Sequence, residues 1–250
     1  MRRVFVAPDQ LHGDSVVLSG EAHHHLSRVL RARAGDEVVV FDGLGAEWNA
    51  KIATVGGKST TLHLSGRRES ATAAPAVRIT LLQALARGEK MDFIIQKTCE
   101  LGVARVVPVL TGRTVAPPAS ASVRQERWQR IAREAARQSG RADVPIVDAP
   151  MALDGALAAA PAGDRRFVFW ESATTRPLRA VLPVDAQSPA AAPQATTLLV
   201  GPEGGFSGDE IAQAEAAGFV VVGLGPRILR VETAAVVAVA LLQFAAGGLG

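Results

Sequence analysis

The segment "LLVGPEGGFSGDEI", residues 198–211, holds the residue pattern best suited to binding chemistry in this chain. An apolar run stops at Gly-Pro-Glu-Gly-Gly, and a helix is predicted a few residues later. Pro202 pushes Gly201 toward an extended conformation, which prolongs the strand. Gly204 and Gly205 permit positive φ and let a ligand approach the backbone closely. Ser207 and Glu210 spell an S-x-x-E capping box, which marks where the helix begins. Such a loop offers backbone N–H and C=O groups to a small molecule. It matches neither the phosphate loop G-x-x-x-x-G-K-[ST] nor the dinucleotide fingerprint G-x-G-x-x-G. A tight β-to-α turn would also use these glycines, so the residues alone leave both readings open.

A second stretch, "GLGPRILRVETAAVV" at 223–237, repeats the device. Its helix has no polar face, as expected of a buried or interfacial helix, yet the loop feeding it carries Arg227, Arg230 and Glu232. Charged groups there need partners or a ligand, although Glu232 could simply favour the helix N-terminus. In "SVRQERWQRIAREAARQSGR", Arg127, Arg130, Arg133, Arg137 and Arg141 fall within roughly a third of a helix circumference. Trp128, Ile131, Ala132, Ala135 and Ala136 face the other way. The basic face is either a solvated surface or a stripe for a polyanion. Adjacent His23, His24 and His25 do not face one another on a helix, and no metal site is expected.

These candidates need a scaffold. Residues 1–70 read as short strands separated by Gly-Asp and Gly-Gly, a small β-barrel interrupted by one helical patch, "GEAHHHLSRVLRA". "RRESATAAPAV", residues 67–77, reads as a linker, and "PVDAQSPAAAPQAT", residues 183–196, as a surface loop. Residues 71–250 alternate strands and helices, which predicts an α/β domain with a mostly parallel sheet. Between Ala71 and Pro145 twelve basic residues face six acidic ones, against a net charge of +3 for the whole chain, so a nucleic-acid partner is plausible there. Cys99 is the single cysteine, which favours a reducing, cytoplasmic setting. Neither a signal peptide nor a membrane span is expected.

Five segments taken in order, "HLSRVLR", "KMDFIIQKTCELG", "REAARQSGR", "LLVGPEGGFSGDEI" and "LGPRILRVETAA", resemble the RsmE family. This family of SPOUT-class enzymes methylates uracil N3 in 16S ribosomal RNA with S-adenosylmethionine. The resemblance implies an RNA-binding PUA-like β-barrel over 1–70 and a knotted SPOUT α/β domain over 71–250 that pairs as a homodimer. The donor cradle it implies comprises Leu199, Gly201, Glu203, Gly204, Gly205, Gly223, Leu224, Gly225, Ile228, Leu229, Arg230, Thr233 and Ala234. Arg230 is then the candidate to stabilise charge on the uracil and Glu232 the candidate base, without a metal. The implied RNA contacts are Arg2, Arg3, His25, Arg28, Arg31, Lys90, Lys97, Arg133, Arg137 and Arg141. On this reading Gly204→Val blocks the donor. The rival readings are a ribose 2′-O-methyltransferase of the same class, a non-catalytic RNA-binding factor, and a nucleotide-binding protein.

Overall fold

The structure, a computed structural model, describes residues 2–70, 76–114, 121–171, 176–182 and 195–249. Most of the expected linker core and of the Pro/Ala loop therefore lies outside the described residues. The chain divides into two compact units, Met1–Ala73 with Arg133–Val144, and Ala74–Ala132 with Pro145–Gly250.

In the first unit, β1 (Arg2–Phe5), β2 (Ser15–Ser19), β3 (Glu37–Phe41), β4 (Glu47–Val55) and β5 (Ser59–Arg68) form one mixed sheet in the order β1-β3-β4-β5-β2. Only the β1–β3 pair is parallel. Strand β2 shows the period-two alternation that one buried face requires, with Val16 and Leu18 inside and Ser15, Val17 and Ser19 outside. The helical patch is α1 (Gly20–His24), which runs into a π-helical turn over His25–Val29. There Leu30 N–H donates to the His25 carbonyl at 2.9 Å, and Leu26 is fully buried beneath. Arg31 leaves this turn at φ 49°, a conformation that non-glycine residues seldom adopt.

The second unit contains β6 (Arg78–Ala84), α2 (Lys90–Glu100), β7 (Val103–Leu110), the part of α3 (Ala121–Ser139) that precedes Arg133, β8 (Ile146–Val147), β9 (Met151–Ala152) and α4 (Leu153–Ala158). It continues through β10 (Arg165–Phe169), β11 (Arg176–Pro177), β12 (Ala195–Val200), α5 (Gly208–Ala216), β13 (Val220–Gly223) and α6 (Val231–Ala245). The sheet order is β11-β13-β10-β12-β6-β7-β8, with β9 also on β7. Every strand pair in it is parallel. Strands β6 and β12 are buried along almost their whole length, as central parallel strands covered on both faces must be. This is the α/β sheet expected from the alternating pattern.

Helix α3 buries Trp128, Ala132, Ala135 and Ala136 of the apolar face read from the sequence, with Ile131 only half-buried. Its arginine stripe is shorter than expected. The helix stops at Ser139 and Gly140 turns the chain at φ 84°. Arg141 therefore lies beyond the helix, is 5% exposed, and binds Asp143.

The capping box at the start of α5 is formed. Glu210 N–H donates to Ser207 Oγ at 3.2 Å, and Ser207 N–H donates to Glu210 Oε2 at 2.8 Å. Glu210 Oε1 also accepts the Gly112 N–H at 2.8 Å, tying α5 to the loop after β7. Ser207→Ala is expected to lower stability by about 1 kcal/mol. Glu210→Ala also strands the Gly112 N–H and is expected to cost about 2 kcal/mol. Urea unfolding of the two variants would check the order.

Candidate functional site

A cavity of about 390 Å³ opens at the carboxyl ends of the central strands, where ligands of parallel α/β sheets bind. Strand β10 lies between β12 and β13, and Phe169 is level with Val200 on one side and Val222 on the other. The loops that follow β12 and β13 therefore bracket the end of β10. Phe169, Trp170 and Val200 line the cavity from the strand ends, while Leu224, Gly225, Ile228, Leu229 and Ala234 supply a largely apolar wall. Ile228 is 86% exposed at this rim, an apolar side chain that a bound ligand would cover. The polar wall holds Lys90, Glu171, Glu203, Arg227 and Arg230.

Neighbouring loops hold the Gly-Pro-Glu-Gly-Gly segment in shape. Glu203 Oε1 accepts from Lys90 Nζ at 2.8 Å and from the Arg87 N–H at 3.0 Å. Burial alone would raise the Glu203 carboxyl, but these hydrogen bonds and the Lys90 charge hold it below its ordinary range. Lys90 Nζ also lies 3.9 Å from Glu232 Oε2, a buried oxygen with no hydrogen bond. Arg113 donates to the Gly204 carbonyl at 2.6 Å. Gly205 sits at φ 68°, and its N–H closes a tight turn on the Pro202 carbonyl at 3.0 Å. A Cβ there would lie 2.5 Å from Glu171 Oε1, the movable end of an exposed side chain, so it is chiefly the left-handed conformation that disfavours a side chain.

Of the cradle residues expected from the sequence, Gly201, Glu203, Gly205, Leu224, Gly225, Ile228, Leu229, Arg230 and Ala234 line the cavity. Leu199 does not, being wholly buried in the core between sheet and helices. Gly223 ends β13, and Thr233 is exposed on the first turn of α6. Glu232 is turned toward Lys90 and is absent from the cavity wall. Gly204 backs onto Arg113, whose side-chain carbons would lie 3.4 Å from an added Cβ. A Cβ at Gly204 thus meets Arg113 at ordinary contact distance, whereas one at Gly205 would stand in a left-handed backbone conformation. The sequence pattern does not single out Phe169, Trp170, Glu171, Val200, Pro202, Pro226 and Val231 as lining residues, marks Arg227 only as a charge in need of a partner or a ligand, and gives Lys90 only to RNA.

Most of the expected RNA-binding cations have partners inside their own unit. Arg3 donates to Glu47 at 2.7 Å and to the Arg141 carbonyl at 2.9 Å, and lies over the Phe41 ring. Arg133 lies over the ring of Phe5. Arg2 pairs with Asp36, Lys97 with Glu100 and Arg137 with Glu134. Burial, and then the nearby Arg137 charge, push the His25 imidazole below its ordinary range. Arg28 and Arg31 are exposed and have no ion-pair partner among the described residues. They remain available for phosphates. Among the described residues, no three His, Cys, Asp or Glu side chains gather as metal ligands, and no helix is long and apolar enough to cross a membrane.

The RNA methyltransferase domain model matches residues 73–243, and the RNA methyltransferase PUA domain model matches residues 18–64. Ribosomal RNA small subunit methyltransferase E of Synechocystis sp. is 35% identical over 96% of this chain and 77% of its own. The chain belongs to the ribosomal RNA small subunit methyltransferase E family. The Mycobacterium bovis member is also 35% identical, over 90% of this chain and 85% of its own. The Neisseria gonorrhoeae member, solved bound to S-adenosylmethionine, superposes with a TM-score of 0.86 at 33% identity, covering 98% of this chain and 97% of its own.

The two glycines differ in a way that can be measured. Gly205→Ala forces a side chain into a left-handed conformation and onto Glu171, and is expected to cost about 1–2 kcal/mol. Gly204→Ala is expected to stay within about 0.5 kcal/mol of wild type, as thermal unfolding would show. The contribution of Glu203, read as wild type against Glu203→Gln, should be complete above the ordinary carboxyl value of 4.5. It should disappear only as the pH falls through the lowered folded-state value.

Proposed function

We propose that this chain transfers a methyl group from S-adenosylmethionine to N3 of a uridine in 16S ribosomal RNA of the small subunit. The observation that carries the reading is the cavity at the paired loop ends, in a member of a family whose Neisseria gonorrhoeae protein holds S-adenosylmethionine. The residues present fit that donor. Leu224, Ile228 and Leu229 offer an apolar face for the adenine, and the glycine-rich backbone leaves room for its polar edge. When bound, the donor supplies an electrophilic methyl group on a sulfonium.

Uracil N3 carries a proton at neutral pH, so it must lose that proton or have its charge stabilised as it attacks. Arg230 lines the cavity, is exposed and has no ion-pair partner among the described residues. It is the group proposed to stabilise negative charge on the uracil. Glu232 is the carboxylate proposed to accept the proton, with Lys90 Nζ 3.9 Å from its Oε2. Positioning of the two reactants supplies much of the remaining acceleration.

The unit built on β1–β5 is proposed to grip RNA, with Arg28 and Arg31 on phosphates and the exchangeable pairs of Arg2 and Arg137 supporting them. Residues 1–70 and 71–250 are the proposed functional division. We also infer the trefoil knot. Helix α6 follows β13 at one side of β10, yet packs against α2 and β12 beyond its other side. Pairing as a homodimer is supported by the exposed Leu241 and Phe244 on α6 and Phe93 on the adjacent α2. The cytoplasm is the proposed location, where ribosomal subunits are found.

The test uses small ribosomal subunits from cells without uridine-N3 methylation, incubated with the protein and isotopically labelled donor. Label is expected in 3-methyluridine after digestion and mass spectrometry. Label on a ribose would replace the acceptor, and tight subunit binding without label would favour a non-catalytic factor. Arg230→Ala is expected to lower kcat about a hundredfold while leaving subunit binding within about threefold.

A further inference from the structure

The cavity wall carries one exposed carboxylate that nothing among the described residues neutralises. Glu203 is paired with Lys90, and Glu232 also turns to Lys90. Glu171 lines the cavity two residues past the end of β10, with no hydrogen bond or ion pair to any described residue. Its carboxylate lies so close to Gly205 that a Cβ there would stand 2.5 Å from Oε1 and 3.3 Å from Cδ. The left-handed glycine turn and the carboxylate therefore fit each other at the wall formed by β10 and the loop after β12.

On the opposite loop, Arg227 and Arg230 line the same cavity and are exposed, without a carboxylate partner among the described residues. Neither guanidinium reaches Glu171. A cavity that keeps an unpaired carboxylate and unpaired guanidinium groups apart is complementary to a zwitterion. The only zwitterionic part of S-adenosylmethionine is its amino-acid end.

We propose that Glu171 recognises the α-ammonium of the donor's methionine moiety, a role that rests on the donor reading above. A charge-assisted hydrogen bond from ammonium to carboxylate supplies both affinity and orientation. Glu171 thereby fixes which end of the donor faces the Gly205 turn. Adenine is left to the apolar wall of Leu224, Ile228 and Leu229.

The test is calorimetric titration of wild type and Glu171→Gln with three ligands, with no turnover involved. S-adenosylmethionine and S-adenosylhomocysteine both carry the ammonium, whereas 5′-methylthioadenosine lacks the amino-acid end altogether. Glu171→Gln keeps the side-chain shape and removes the charge. Its Kd is expected to rise roughly ten- to hundredfold for the first two ligands and to stay within about twofold for methylthioadenosine. Retained methylthioadenosine binding also shows that the variant is folded. Unchanged affinity for all three would overturn the assignment, as would an equal loss for all three. A loss confined to S-adenosylmethionine would also overturn it, by pointing to the sulfonium. Failure of the wild type to bind any of them would refute the donor reading itself.

Discussion

The parallel hydrogen bonding of β10 between β12 and β13 is the constraint on which the site depends. It brings three strand ends level and sets two loops on either side of one strand terminus, although they are separated in sequence by α5. A shift of one residue in either register would turn a strand's side chains to the opposite face. The buried run of Leu198, Leu199 and Val200 opposes such a shift, because β12 is packed on both faces. The cavity is thus a product of sheet packing, and its loops need little side-chain chemistry of their own to meet.

On its other side β12 borders β6 and then β7, so the loops after those strands also arrive beside the glycine segment. Each contributes a side chain or amide to it. The loop after β6 places Arg87 N–H and Lys90 on Glu203, and the loop after β7 places Arg113 on the Gly204 carbonyl and Gly112 on Glu210. A loop rich in glycine loses much conformational entropy on ordering. These four contacts come from elements already fixed by the sheet, and they hold the segment before any ligand arrives. Pre-organisation of this kind reduces the ordering cost of binding.

The sequence made visible what is local. The S-x-x-E cap, the end of β12 at the glycines and the apolar face of α3 all depend on residues within a few positions, and all are present as read. The contribution of β10 was not legible. Phe169, Trp170 and Glu171 form no motif, and only sheet order reveals that their strand ends between the two loops. The choice between Gly204 and Gly205 needed φ and the position of Arg113. The arginines were least readable, since pairing decides their availability and pairing is tertiary. Arg3 and Arg141 are held internally, whereas Arg28 and Arg31 are left to solvent.

The central claim is that the loops after β12 and β13 together form the methyl-donor site. A crystal structure of the protein with S-adenosylmethionine tests it most directly. The account predicts donor density within the cavity, bent, with adenine against Leu224, Ile228 and Leu229 and the amino-acid end beside Gly205 and Glu171. Donor density elsewhere on the chain, or an extended donor that leaves either loop untouched, would contradict it.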